Sequence, residues 1–232
     1  MANESENKRQ IRESGIIGKI FSFLGKIIGI LFASLILSII FEWIGITWFW
    51  TEQGYRHSRE MMLAEIGWFE SHFTDSLLHS SPVQLVQFIL SEVNNWLFVK
   101  TGIRAWLSQI DGDVGIIAHY GRAYIESIMY VTLTFCIRVM IIVFTLPLFV
   151  LSALVGLTDG LVRRDLRRFG RGYESSFIYH NAKRTVFPII FFAWAIYLSV
   201  PFSLHPNWIL LPAAGLFGFA ISVVSGSFKK YL

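Results

Sequence analysis

The sequence predicts an all-α polytopic membrane protein with four transmembrane helices and a helical periplasmic segment between spans one and two. Three observations lead there. First, the 232 residues are 54% apolar and only 16% charged, with a mean hydropathy of +0.54, whereas a typical globular domain carries about 25% charge. Second, the uncharged residues gather in runs near the ~20 residues that cross a hydrocarbon core at 1.5 Å each. Third, 14 of the 20 Lys and Arg fall on segments that four crossings would place on one side. Disorder is excluded by this composition, and so is a disulfide scaffold. The single Cys136 sits in an apolar run and reads as a packing residue.

Residues 1–26 form a basic cytoplasmic N-terminus with Lys8, Arg9, Arg12, Lys19 and Lys26. Span one, residues 27–50, has Glu42 as its only charge and ends in Trp43, Trp48 and Trp50, as an interfacial belt would. The run is too long for a signal peptide and lacks a small-residue cleavage site, so an uncleaved anchor is expected.

Residues 51–122 hold five basic and eight acidic residues and read as a periplasmic helical segment. Met62, Ile66, Phe69, Phe73 and Leu77 recur at helical spacing. Ser81-Pro82 has the form of an N-cap with proline at the first helical position. Val86, Leu90, Val93 and Leu97 continue an apolar face up to Thr101-Gly102. Ile103, Trp106, Leu107 and Ile110 make a third short amphipathic piece before the turn Asp111-Gly112-Asp113. Three such helices in ~70 residues make a marginal core. They would pack on one another, lie on the outer membrane face, or bury a face against a partner through Trp68, Trp96 and Trp106.

Span two lies within 123–157, where Val139 to Leu157 is free of charge and Pro147 predicts a kink. Residues 158–185 form a basic cytoplasmic loop with Arg163, Arg164, Arg167, Arg168, Arg171, Lys183 and Arg184. Leu161 or Val162, Leu166 and Phe169 make a narrow apolar stripe among its arginines. Span three is expected over 186–204 and span four over 208–224, joined by a tight hairpin, with Pro188, Pro201 and Pro212 in their outer turns. The cytoplasmic tail, 225–232, adds Lys229 and Lys230. The positive-inside rule then puts both termini and the arginine loop in the cytoplasm of a bacterial inner membrane.

The arginine loop has two readings. Its cations, each contributing on the order of 1 kcal/mol, would meet anionic lipids. Alternatively it docks a cytoplasmic protein, with Gly170 and Gly172 allowing a turn and Tyr173, Phe177 and Tyr179 as anchors. Direct DNA contact is not expected from so few arginines.

No catalytic, cofactor-binding or metal site emerges. The six histidines show no metal-ligand spacing, and no phosphate loop, nucleophile elbow or dinucleotide fingerprint occurs. Asp159-Gly160-Leu161-Val162-Arg163-Arg164 resembles the start of the CDP-alcohol phosphotransferase signature. That chemistry needs further aspartates around two metal ions, and Gly156 and Arg163 stand at positions where the signature differs. Arg138 and Glu42 lie at comparable depth near the outer ends of their spans, which makes an intramembrane pair a candidate beside a snorkelling, unpaired Arg138. Ala214, Gly218, Ser222 and Gly226, four residues apart, predict close packing of span four against another span or another subunit, including a homo-oligomer.

Two stretches, 41–68 and 159–188, resemble a membrane protein family of integrating conjugative elements whose biochemical role is unknown. The resemblance runs from span one to span four. It rests on the tryptophan-rich exit, Gly-x-x-His-Ser at 54–58, Arg-Asp-Leu-Arg-Arg-Phe-Gly at 164–170, and Tyr179-His180. It implies a gene beside that of the coupling ATPase, which delivers DNA to a type IV secretion channel, and association with that ATPase and other channel components. It carries over no catalytic residue. The expected function is therefore a non-enzymatic accessory subunit. The alternative is a stand-alone small transporter or lipid-handling protein, against which the scarcity of intramembrane polar residues counts.

Overall fold

The structure is a computed structural model of the chain and describes residues 16–73, 82–109, 116–169 and 176–227. All the regular secondary structure among the described residues is helical, with no strand. Helix α1 (Ile16–Trp48) is followed by α2 (Tyr55–Phe73), then α3 (Pro82–Asn94), which ends in a π-helical turn (Asn95–Val99). After these come α4 (Ile103–Gln109), α5 (Ile116–Phe169), α6 (Ser176–Ser199) and α7 (Asn207–Gly226). Among the described residues four stretches are long and apolar enough to cross a membrane: Phe21–Trp48, Gly121–Arg167, Asn181–Ser199 and Asn207–Gly226. The N-terminal Lys8, Arg9 and Arg12, together with Leu77, Ser81, Ile110, the 111–113 turn, Arg171, Tyr173, Lys229 and Lys230, lie outside the described residues.

Helix α5 organises the molecule. Its 54 residues, at 1.5 Å each, make a rod of about 80 Å. The sequence reading divides it into outer segment, span and loop wherever charge begins. Main-chain hydrogen bonding does not follow composition, and the helix continues through Pro147, past Asp159 and out to Phe169. The arginine cluster therefore begins on the span-two helix itself, not on a separate loop helix.

Helices α2 and α7 run parallel to α5, one beside each half. Tyr55 of α2 stacks on Tyr130, and Phe69 meets Phe144. Further along, Ser152 of α5 bonds to Ala214 of α7. Helices α1 and α6 pack together along this frame. The main core gathers Phe69, Val86, Ile137, Ile141, Tyr197 and Leu210 from α2, α3, α5, α6 and α7. A smaller cluster of Phe98, Leu107 and Met129 ties the π turn and α4 to α5.

Among the described residues of 51–122, α2 and α3 pack on one another, the first of the three expected arrangements, and together they also bury apolar side chains on the chain's own α5, which was not among the three. The buried face of α2 is Ser58, Met61, Glu65 and Phe69, with Met62 and Ile66 beside it. At its start, the chain turns over Trp50–Gly54, where Gly54 takes φ +52°, a left-handed conformation open to glycine without strain. The Gly-x-x-His-Ser motif is this reversal: the next turn sends His57 back to α1 and buries Ser58, whose hydroxyl donates to the Tyr55 carbonyl at 3.0 Å.

Helix α6 stops at Ser199, short of the expected 204. Pro201 explains this, because it disfavours helical geometry at Val200 and has no N–H for the Tyr197 carbonyl. The connection to α7 is accordingly longer than the expected three residues, running from 200 to 206.

Candidate functional site

Two features stand out: a buried arginine node at the middle of α5, and an arginine-bearing rod end braced by α7.

Arg138 is 1% exposed and Glu65 is 0% exposed. The expected partner, Glu42, is not the one it meets. The Arg138 Nε–H donates to Glu65 Oε1 at 2.8 Å, and Nη2–H donates to the same oxygen at 2.5 Å. The rest of the guanidinium caps the end of α6. Nη1 donates to the carbonyls of Tyr197 at 3.2 Å, Leu198 at 3.4 Å and Val200 at 2.6 Å, while Nη2 reaches the Phe202 carbonyl at 3.0 Å. The final carbonyls of a helix have no intrahelical donors and carry partial negative charge. Arg138 replaces the donor that Pro201 lacks. Burial holds the Glu65 carboxyl above the usual carboxylate range, and the charge and hydrogen bonds of Arg138 offset only part of that rise. One planar fork therefore joins α2, α5, α6 and the hairpin.

Glu42, 1% exposed, meets His57 instead, with Nδ1 and Oε1 3.1 Å apart. The His57 ring stacks on Trp50 at 4.0 Å between centroids, and the Trp50 indole occupies the space that a side chain at Gly45 would need. Glu42 and Arg138 do not pair with each other, because each takes its partner from α2, Glu42 meeting His57 and Arg138 meeting Glu65.

The small residues of span four face α5. A Cβ at Gly156 would strike the Gly218 carbonyl, and one at Gly160 would strike the Ser225 hydroxyl and the Ser222 carbonyl. The Ser152 hydroxyl donates to the Ala214 carbonyl at 2.5 Å, and the Ser222 hydroxyl donates to the Asp159 carboxylate at 2.5 Å. Gly226 closes the contact beside Gly160 and Arg163. The matching half, Ser152-x-x-x-Gly156-x-x-x-Gly160, carries the same four-residue spacing in sequence, a signal that the pattern on span four alone does not include.

Beyond this contact nothing among the described residues covers the rod end. Arg163 pairs with Asp159 at 3.0 Å. Leu166 and Phe169 are 66% and 92% exposed, so the apolar stripe is not covered by the described chain. Arg164 and Arg167 are half-buried, and the side chains of Arg168, Phe177 and Tyr179 are not described. At the opposite end Trp68 packs on His205 of the hairpin, with 5.5 Å between rings, so it is engaged inside the molecule rather than offered outward. Trp96 and Trp106 are exposed, and Lys100 lies 3.8 Å above the Trp96 ring. Among the described residues no three His, Cys, Asp or Glu converge as metal ligands would.

A family model described as "IncC plasmid conjugative DNA transfer protein DtrJ-like" matches residues 49–229, from the exit of α1 to the tail. No curated protein and no solved structure matches the chain.

Proposed function

The chain belongs to the DtrJ-like family of conjugative DNA transfer proteins, and from that premise we propose that it is a non-enzymatic scaffold for the DNA-coupling ATPase of a type IV secretion channel. It crosses the bacterial inner membrane four times, with both termini and the arginine end of α5 in the cytoplasm. The single observation that carries this reading is the form of that end. A helix braced by α7 up to Gly226 presents Arg163, Arg164 and Arg167 around an uncovered Leu166 and Phe169. Exposed aromatic and apolar anchors ringed by arginine suit a protein docking surface. The 14 basic residues on this side support the orientation. On the periplasmic side, Trp96 and Trp106 face envelope components of the channel.

Changing Arg163, Arg164, Arg167 and Arg168 together to Glu is expected to remove about 3 kcal/mol of docking energy, roughly 100-fold in affinity. DNA transfer should fall to match while the protein level stays constant. The check is mating frequency alongside co-purification of the ATPase from cells carrying the whole element. Normal transfer by this variant, or a chain that purifies alone and supports solute flux in vesicles, would remove the scaffold reading.

A further inference from the structure

Along part of their length α1 and α6 do not close on one another. A cavity of about 590 Å³ opens between them, lined by Phe23, Lys26, Ile30 and Ala33 of α1 and by Phe187 and Phe191 of α6. Gly29 also lines the cavity, and a Cβ built there would meet nothing within 4 Å, so the space beside it is open. Phe23 and Phe191 touch edge to face at 6.4 Å across it.

Among the described residues Lys26 is the one charged group in this lining, and none of them puts an acidic side chain there. Arg184, exposed, lies one helical turn before Phe187 and so on the same face of α6. The cavity is therefore cationic at its mouth and apolar within. From Phe23 to Ala33 the helix rises about 15 Å, which equals one leaflet of a hydrocarbon core ~30 Å thick. A positive mouth on an apolar slot of leaflet depth is complementary to an amphiphile with an anionic head and a hydrocarbon tail.

We propose that the α1–α6 cavity holds one acyl chain of an anionic phospholipid whose phosphate rests against Lys26, with Arg184 beside it. This site lies apart from the arginine rod end and does not depend on the scaffold reading.

The test is native mass spectrometry of the full chain ejected from nanodiscs of equal phosphatidylglycerol and phosphatidylcholine. The expected result is retention of phosphatidylglycerol over phosphatidylcholine. Occupancy should fall about fivefold for each of Lys26→Gln and Arg184→Gln, from the ~1 kcal/mol that a basic residue contributes at an anionic surface. Ala33→Phe, at an exposed position, should fill the slot and expel the lipid with helicity unchanged. Equal retention of the two lipids overturns the proposal. So does phosphatidylglycerol binding that survives Ala33→Phe or the two Gln variants, and so does a co-purifying transmembrane polypeptide that occupies the cavity in place of lipid.

Discussion

Replacing Arg138 with leucine is expected to destabilise the protein by about 3–5 kcal/mol, the range for removing one member of a buried pair. The substitution strands the Glu65 carboxylate, which is 0% exposed. It also strips donors from the carbonyls of Tyr197, Leu198, Val200 and Phe202. Comparative variants separate these two effects. Glu65→Gln keeps the carbonyl cap and should cost less than Arg138→Leu. The exchange of Arg138→Glu with Glu65→Arg should not rescue stability, because a carboxylate at 138 would face four carbonyl oxygens. Glu42→Gln, which leaves the node untouched, should be the mildest. Thermal melting of the purified chain in nanodiscs would rank them. A melting point left unmoved by Arg138→Leu, or a charge exchange that restores it, would refute the node.

The second large effect is expected at the contact of α5 with α7. Gly156→Leu puts a branched side chain against the Gly218 backbone. Overpacking costs typically 1–3 kcal/mol, and the upper end or beyond is expected because main chain cannot step aside as a rotamer can. Gly67→Ala is an internal control, since its Cβ meets nothing within 4 Å. It should be neutral or stabilising by about 0.4–1 kcal/mol through the unfolded chain. If both substitutions moved the melting point equally, close helix approach would not be what the glycines provide.

The four spans and the basic end were legible because they depend on composition over long windows, which lipid enforces without reference to tertiary contacts. The start of α3 was legible for a local reason, the fit of Pro82 to a first helical position. The node was not. Glu65 stands four residues after Met61 and four before Phe69, squarely on the buried face. Periodicity arguments assign charge to water, so the eye passes over it. Its partner is 73 positions away, on an element whose end is set by Pro201. A carboxylate in register with a buried stripe, plus one intramembrane arginine, was the available signal. The continuity of α5 was hidden differently: charges at Arg122, Glu126 and Asp159 mark where solvent changes, not where a helix ends.

The length of α5 has a mechanical consequence. Anything that presses on Phe169 acts on the same strut that Met129 grips near the other end. Pro147 lies midway between Arg138 and Gly156, and its missing main-chain donor makes it the softest point under bending. Flexure therefore concentrates there, while twist and axial thrust pass through. A load applied at one end of α5 reaches the other as torque or push, and sideways sway is absorbed on the way.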